Sequence, residues 1–552
     1  MNKKVCSFPI LFALLALLIG TCAVVFPASA QAAPTSTGSI TVSGTVASSY
    51  DAYQIFSANV VDGDGDAKTF TGLAWASDAA RDAVLPVLHS AGMPDSQTTA
   101  QEAAEWLNTD SHLTSALSAQ LARSLQSSGP VSVALNAGTA AELPCGYWLI
   151  VADDAIAQNE AGTAPIMTLV GGSAVTVKPK AATPKVSKHV LEDSTAAWQK
   201  AADATVADDL YWRLSATVPA GLAAYDTYTV RFVDTMSAGL DPSKVAASMR
   251  VYVAAGADGG FDAVTCEGGN ANSTLAKGWT DITSQCRVSV EGNAFTVRTG
   301  DLIAALGGAD AFTAGARVVA VYNAPLNSAC NHGIAKGNPN EVYLRYPRSP
   351  FADQSGDAGF TRTPSDDACA YTWDLALTKR GSDGDKPLAG AVLSIADDRG
   401  RTLAADGTWD AEGKATVTTG EDGRVTVSGV DSGKLEVREL KAPKGYTAFE
   451  GARSVTVKAE GLDVDQVAAA KPKLTITAES PLRADSADGS TGSLEASLIN
   501  TPTGIPPSIT TGGFMPSTGD MAMYAAVAAA VAGAALIVVA LLVKRGGGSH
   551  KE

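Results

Sequence analysis

Most of the chain has the residue pattern of short β-strands, because apolar and polar residues alternate over many brief runs. Such alternation turns one face of a strand toward a core and the other toward solvent. Gly, Asp and Asn separate many of the runs, as is typical of β-sandwiches. Clear examples lie at residues 39–42, 228–232, 424–427 and 454–457. The sequence therefore predicts an all-β protein.

One region departs from this pattern and favours helices. Alanine-rich stretches at residues 78–85 and 100–107 repeat apolar positions with helical spacing, and residues 113–125 continue the trend. We expect two or three helices packed on the first sandwich. Proline-containing joints then suggest three domains, at residues 34–180, 181–370 and 371–501, followed by a linker at 502–514.

The two ends of the chain are long apolar runs. Residues 8–26 follow two lysines and precede small residues, which predicts a signal peptide over 1–33, cleaved after Ala30 or Ala33. At the other end, the apolar run 521–543 is long enough to span a bilayer as a helix at ~1.5 Å per residue. Two basic residues follow it and favour the cytoplasmic side.

Composition narrows the possible functions. The formal net charge of −16 argues against a nucleic-acid partner, which would need a basic face. The Asp-rich run 62–66 lacks the later glutamate of an EF-hand loop, so we expect no metal there. The histidines are scattered and suggest neither a cofactor site nor a catalytic triad. They are His89, His112, His189, His332 and His550.

Five cysteines remain after the signal peptide, and export to an oxidising compartment permits disulfides. Cys266 and Cys286 flank a Gly/Asn-rich excursion, while Cys330 and Cys369 flank residues 331–368. We expect these two pairs to be bonded, although sequence alone leaves the connectivity open. Cys145 lies beside an apolar strand, and we expect a buried free thiol.

A pentapeptide directly precedes the C-terminal apolar run. It consists of Met515, Pro516, Ser517, Thr518 and Gly519. The order of pentapeptide, apolar helix and basic residues over 515–552 resembles the LPxTG cell-wall sorting signal of Gram-positive surface proteins, with Met515 in place of leucine. The resemblance implies that a sortase cleaves after Thr518 and passes its acyl group to an amine. The chain would then be secreted and anchored in the cell wall.

The third domain contains a specific block, E-x-x-A-P-x-G-Y, at residues 439–446. The first strand of this domain contains Lys379, which follows the core-facing Leu375 and Leu377 at every second position. Asn500 lies at the end of the domain. These features resemble the collagen-adhesin B-type immunoglobulin-like domain. The resemblance implies an isopeptide bond between Lys379 and Asn500, promoted by Glu439. This single-turnover reaction would be the only chemistry of a chain that is otherwise no enzyme.

The second domain has a similar set of residues with different spacing. A D-T-x-x-x-G-L block at residues 234–240 resembles the middle domain of sortase-assembled major pilins, where it supplies the catalytic acid. By that resemblance Asp234 promotes a bond between Lys188 and Asn340. Lys185 and Asn338 remain alternatives, and strand alternation cannot separate Asn338 from Asn340 because both would point to one face.

The first domain has one lysine, Lys68, between residues 34 and 177, in a polar turn region, so we expect no isopeptide bond there. Residues 175–180 partly resemble the pilin motif of major pilins, which implies that Lys180 is the amine that accepts another subunit. Lys178 is the rival nucleophile. Gly171 and Lys178 stand where that motif has Trp and Tyr.

Together these resemblances identify the chain as similar to a sortase-assembled Gram-positive major pilin, the shaft subunit of a surface fimbria that supports adhesion. They imply pilin-specific and housekeeping sortases, identical subunits and peptidoglycan as partners, with host surface molecules as a further class. The alternative is a monomeric wall-anchored adhesin that binds a host protein, and Lys180 discriminates between the two.

Overall fold

The computed structural model describes residues 37–503 with short gaps. The gaps are residues 44–46, 64–67, 110–111, 153–158, 180–182, 207, 219–224, 257–259, 268–269, 272–275, 309–314, 351, 353 and 405. The predicted signal peptide (1–33), Lys180 and the sorting signal (515–552) with its pentapeptide all lie outside the described residues. Within the described part of the chain, no helix has both the length and the apolarity needed to cross a membrane.

The described strands form three successive sandwich units, and none of the described sheets mixes strands from two units. This confirms the all-β fold class with three tandem sandwiches that the alternating pattern predicted.

The first unit packs a three-stranded sheet, in the order β5-β1-β8, on a five-stranded sheet in which β3-β2-β6-β7 are neighbours and β4 also pairs with β2. Ile40, Tyr50 and Trp148 belong to the core between them. The strands are β1 (Thr37–Val42), β2 (Ser49–Asp62), β3 (Lys68–Trp75), β4 (Val133–Asn136), β5 (Ala140–Pro144), β6 (Gly146–Ala152), β7 (Ile166–Val170) and β8 (Val175–Val177).

Three helices cover the outer face of the five-stranded sheet. They are α1 (Asp78–Ser90), α2 (Ala100–Asn108) and α3 (Ser115–Ser128). Helix α2 begins with a capping box, in which Thr99 and Glu102 satisfy each other's free backbone N–H groups. Leu88 of α1 and Leu121 of α3 join the sheet residue Leu149 in one apolar cluster. The predicted helical insertion is thus confirmed.

The second unit contains the six-stranded sheet β10-β9-β12-β20-β14-β17 and the seven-stranded sheet β11-β23-β21-β13-β19-β18, with β22 beside β21. A separate hairpin, β15-β16, lies outside both sheets. The elements are β9 (Lys185–Glu192), β10 (Ala197–Gln199), β11 (Ala201–Asp203), β12 (Tyr211–Val218), β13 (Arg231–Met236), α4 (Val245–Ser248), β14 (Arg250–Ala255), β15 (Cys266–Glu267), β16 (Asn270–Ala271), β17 (Trp279–Asp281), β18 (Arg287–Glu291), β19 (Ala294–Arg298), α5 (Leu302–Ala305), β20 (Ala316–Asn323), β21 (Asn338–Pro347), β22 (Phe360–Arg362) and β23 (Asp366–Tyr371).

The third unit contains a sheet in which β29-β24-β35-β31 are neighbours and β34 also pairs with β35. It faces the sheet β27-β26-β25-β30-β32-β33, with β28 beside β25. The strands are β24 (Trp373–Gly381), β25 (Val392–Ala396), β26 (Thr402–Leu403), β27 (Trp409–Asp410), β28 (Val417–Thr418), β29 (Arg424–Val430), β30 (Gly433–Lys441), β31 (Tyr446–Thr447), β32 (Ala452–Glu460), β33 (Lys473–Ala478), β34 (Leu482–Asp488) and β35 (Ser493–Pro502).

The opening and closing strands of the third unit run side by side. Strands β24 and β35 are parallel and stay in register from Asp374↔Ser493 to Gly381↔Asn500. In the first unit β1 and β8 are also parallel, but only over Ile40↔Val175 to Val42↔Val177.

Polar contacts join successive units. Arg123 of α3 forms an ion pair with Asp226 of the second unit at 2.8 Å. At the next junction, the Trp373 indole N–H donates to Asp203 Oδ2 at 2.7 Å.

Candidate functional site: two buried lysine–acid–asparagine sets

Lys379 and Asn500 lie on the neighbouring parallel strands of the third unit. Lys379 pairs with Leu498, and Asn500 pairs with Gly381, so the two residues are offset by two positions and point to the same face. Glu439 lies on β30, in the opposite sheet. The two sheets therefore bring the three residues together in the core.

The three side chains form a closed hydrogen-bond network. Lys379 Nζ donates to Asn500 Oδ1 and lies 3.1 Å from Glu439 Oε1. Asn500 Nδ2 donates to both carboxylate oxygens of Glu439, at 2.9 and 3.0 Å. Phe449 closes one side, with its ring centroid 5.8 Å from Lys379 Nζ and its backbone N–H on Glu439 Oε2 at 3.2 Å.

Burial changes the proton chemistry of this network. The side chains of Lys379 and Glu439 are fully covered. Loss of water around the ammonium lowers the pKa of Lys379 to about 8, although the Glu439 carboxylate opposes the shift. A larger fraction of the amine is therefore neutral near neutral pH, and a neutral amine is a nucleophile.

The second unit assembles its set across the gap between two sheets. Lys188 lies on β9 of the six-stranded sheet, whereas Asp234 and Asn340 lie on β13 and β21 of the seven-stranded sheet. Asn340 pairs with Met236, two positions after Asp234, so Asp234 and Asn340 point to one face. Tyr322, on β20, belongs to the same sheet as Lys188.

One tyrosine hydroxyl contacts all three members of this second set. Lys188 Nζ donates to Asp234 Oδ2 and to the Tyr322 hydroxyl at 2.9 Å. The same hydroxyl lies 3.2 Å from Asp234 Oδ2 and 2.9 Å from Asn340 Nδ2. The rings of Trp212 and Tyr322 flank the amine, with centroids 5.6 and 5.5 Å from Nζ.

Lys188 and Asp234 are completely buried, and desolvation moves their pKa values toward each other. It lowers the pKa of Lys188 to about 8, against the attraction of Asp234. It raises the pKa of Asp234 to about 6, against the attraction of Lys188. Transfer of a proton from the ammonium to the carboxylate is therefore much easier here than between the same groups in water.

The alternatives that the sequence left open occupy different surroundings. Asn338 is buried, but its Nδ2 donates to the carbonyl oxygens of Asn331 and Ala370 at 2.9 and 3.2 Å. Its Oδ1 accepts the Asn331 N–H at 2.9 Å. Lys185 is exposed at the start of β9. The structure thus brings Asn340, and not Asn338, together with Lys188.

The two lysines of the first unit that the structure describes, Lys68 and Lys178, lie away from its core. Lys68 begins β3, and its Nζ donates to the carbonyl oxygens of Gly171 and Ser173 at 2.5 and 2.9 Å and to Asp62 Oδ1 at 3.2 Å. Lys178 is exposed just after β8.

The structure contradicts both predicted disulfides, because all four of these cysteines are free thiols. Cys266 packs in a small cluster outside the main core of the second unit, whereas Cys286 packs against that core. Cys330 belongs to the core of the second unit and Cys369 to that of the third. Each pair is thus divided between two apolar clusters. Cys145 is buried and forms no disulfide, as predicted.

Sequence reasoning missed Tyr322 and Phe449, which shape the two sites. In the run 316–323, Val318 and Ala320 face the core, and Tyr322 lies at the next alternate position on the same face. A tyrosine at a core-facing position signals a hydroxyl that needs a buried partner. That signal could have identified Tyr322, but not which of the buried polar groups it would contact.

A comparison with protein-family models gives a match that lies within the third unit. Residues 374–471 match the SpaA family model, described as a prealbumin-like fold domain. A 134-residue stretch is 31% identical to the trypsin-resistant surface T6 protein of Streptococcus pyogenes serotype M6, and the match covers 23% of this chain and 23% of that relative. The match therefore spans about a quarter of the length of this relative.

Among solved structures, the T6 backbone pilin of Streptococcus pyogenes serotype M6 is 16% identical and has a TM-score of 0.49, covering 86% of this chain and 100% of its own. The major pilin SpaD of Corynebacterium diphtheriae is 14% identical with a TM-score of 0.41, covering 84% and 98%.

Proposed function

We propose that this chain is the shaft subunit of a covalently polymerised pilus on a Gram-positive cell surface. The observation that supports it best is the pair of buried lysine–acid–asparagine sets in two consecutive units. Each set is sealed in a core, where it can bind no large substrate but can join two strands. The T6 relative is named as a trypsin-resistant surface protein, and cross-linked sandwiches would resist proteolysis in this way.

In each set the lysine amine attacks the asparagine side-chain carbonyl carbon and displaces ammonia. One C–N bond forms and one breaks, so the product is an isopeptide bond and no oxidant is needed. In the third unit, Lys379 is the nucleophile, Asn500 the acceptor and Glu439 the proton carrier. Glu439 contacts both reacting groups, so it can take a proton from the amine and give one to the leaving nitrogen.

In the second unit, burial lowers the free-energy cost of proton transfer from lysine to aspartate. With the ordinary pKa values of 10.5 and 3.8, proton transfer from lysine to aspartate costs about 9 kcal/mol. With values of about 8 for Lys188 and about 6 for Asp234, the cost falls to about 3 kcal/mol. The buried pair therefore reaches its reactive neutral form at a cost that thermal motion supplies readily.

Tyr322 is the further participant in the second unit. Its hydroxyl contacts Asp234 and the Nδ2 side of Asn340, so it can pass a proton from Asp234 to the leaving nitrogen. The third unit has Phe449 beside the amine instead, and there Glu439 contacts the asparagine directly. Tyr322→Phe should therefore slow bond formation in the second unit and leave the third unit unchanged.

The same proposal assigns Lys180 and Thr518 to the linkage between subunits. A pilin-specific sortase would attack the Thr518 carbonyl, release Gly519 and pass the acyl group to Lys180 of an identical subunit. A housekeeping sortase would transfer the last acyl group to peptidoglycan. Lys178 is exposed in the same joint, so it remains the competing amine.

Two measurements test the proposal. The mass of the purified secreted chain should be lower than its sequence mass by two ammonia molecules, since its cysteines are free thiols. Cell-wall extracts should show a ladder of covalent multimers on a denaturing gel, and Thr518→Ala should abolish the ladder and wall attachment together. A full sequence mass would exclude the internal bonds. A single anchored band would favour the monomeric adhesin instead.

A further inference from the structure

The junction between the second and third units contains a second reactive cluster, away from both lysine sets. Cys330 and His332 lie in the loop between β20 and β21, and Asp374 lies on β24. His332 Nε2 lies 3.7 Å from Cys330 Sγ, and His332 Nδ1 lies 2.6 Å from Asp374 Oδ1. A thiol, an imidazole and a carboxylate thus stand in line, as in sites where a cysteine is made nucleophilic.

The loop that presents this cluster is held in place from both units. The Cys330 N–H donates to the Asn327 carbonyl at 3.0 Å, and the Gly333 N–H donates to the Thr372 carbonyl at 3.0 Å. Gly333 has φ +74°, and a Cβ there would lie 2.6 Å from the backbone of Thr491. The close approach requires glycine, and it fixes the imidazole between the two units.

The imidazole is cationic over the physiological range. The hydrogen bond to Asp374, followed by that to Cys330, raises the pKa of His332 to about 10. A cationic imidazole beside a thiol stabilises the thiolate, which is the nucleophilic form of cysteine. By contrast, burial raises the pKa of Cys369, on β23, to about 11 and keeps that thiol protonated.

From this geometry we propose that Cys330 is an oxidation site for small hydroperoxides, activated by His332 and Asp374. The Cys330 side chain is only 7% exposed, so we assign it a reagent of a few heavy atoms and not a peptide carbonyl. The His332 side chain is 26% exposed and marks the route from solvent.

In the reaction, the Cys330 thiolate attacks the terminal oxygen of the hydroperoxide, and the O–O bond breaks. Sulfur is oxidised by two electrons to a sulfenic acid, and the peroxide is reduced to an alcoholate or hydroxide. That leaving group takes the proton from His332 and departs as alcohol or water. The neutral imidazole then regains a proton from solvent, and the hydroxyl on Cys330 remains at the junction between the units.

The test treats the purified protein with hydrogen peroxide at neutral pH, traps sulfenic acid with dimedone, and assigns the label by peptide mass spectrometry. Cys369 is the internal control, because it is also buried (2% exposed, against 7% for Cys330) but has no imidazole partner among the contacts that the structure describes. We expect Cys330 to be labelled at least about tenfold faster than Cys369. Equal labelling of the two cysteines would overturn the proposal.

Two further measurements separate activation from simple access. His332→Gln should lower the labelling rate of Cys330 about tenfold while iodoacetamide still reaches it at high pH. If His332→Gln disturbs folding, the wild-type protein decides alone. Its Cys330 should still be labelled about tenfold faster than its Cys369, and equal rates would refute the role of the imidazole.

Discussion

Removal of the acid of the second unit gives the most direct test of how that unit is held together. Asp234→Asn keeps the shape of the side chain but cannot accept a proton from Lys188. General acid–base groups contribute ~10²–10⁴-fold to such reactions, so the bond should not form during expression. We expect the mass of the purified chain to show one ammonia loss instead of two, with the third unit still linked.

The stability change follows from the loop that the bond closes. Lys188 and Asn340 enclose most of the second unit, and the chain-entropy estimate for a loop of this length is about 5 kcal/mol, if the disulfide relation applies to this bond. For a unit of this size, that corresponds to a melting temperature lower by roughly 10–20 °C. The loss should appear as a separate, earlier transition in calorimetry, because the third unit keeps its own bond.

Glu291→Gln is the matched control for this variant. It removes one carboxylate from an exposed position at the end of β18 of the same unit, and it should leave both the mass and the melting profile unchanged. An Asp234→Asn protein that still shows two ammonia losses would refute the catalytic role of Asp234. An unchanged melting profile with only one ammonia loss would refute the stability estimate.

Three other outcomes follow from the same structure. The Asn340→Ala variant cannot form the bond, so its stability should depend on the charges of Asp234 and Lys188. Because burial raises the pKa of Asp234 to about 6 from 3.8, the folded state should lose stability as pH rises from 4 to 6. Because burial lowers the pKa of Lys188 to about 8 from 10.5, the folded state should regain stability above pH 8. The reference is a triple variant that also carries Lys188→Met and Asp234→Leu. Relative to it, the melting temperature of Asn340→Ala should be lowest between pH 6 and 8, and a maximum in that range would contradict the pKa shifts that burial gives Asp234 and Lys188. Lys180→Ala should abolish the covalent ladder and leave anchored monomer, whereas Lys178→Ala should change little; a ladder lost only in Lys178→Ala would move the linkage to that residue. Limited trypsin digestion should degrade the first unit before the other two, and the reverse order on a gel would argue against the assigned bonds.

The lysine–acid–asparagine sets were accessible from sequence because local motifs mark them. The block at residues 439–446 identifies Glu439, and the block at 234–240 identifies Asp234. Each acid lies on a strand whose alternation turns it inward, and alternation also turns Lys379 toward the core, whereas the sequence left Lys185 open beside Lys188. The parity rule could not decide between Asn338 and Asn340, since only the packing of side chains showed which one contacts Tyr322.

The cysteines show where this reasoning failed. Cys266 and Cys286 are close in sequence, and so it was natural to expect a bond between them. Nearness along the chain does not determine which apolar cluster a residue joins, and the strands between them send the two thiols to different clusters. The Cys330–His332–Asp374 cluster was missed for a related reason, because Asp374 comes from the next unit and no local pattern links it to the loop.

The parallel pairing of β24 and β35 has a mechanical consequence. Tension along the proposed polymer would enter the third unit at the start of β24 and leave at the end of β35, so it would load the hydrogen bonds of the pair in shear. Once Lys379 and Asn500 are joined, the force path runs from β24 directly into the last residues of β35, and the chain between them carries no load. The proposed bond between Lys188 and Asn340 would provide the same shortcut in the second unit. Because the joint after β8 is where the neighbouring subunit would attach, the first unit lies outside the force path and can hold its β1–β8 pair with three residues alone.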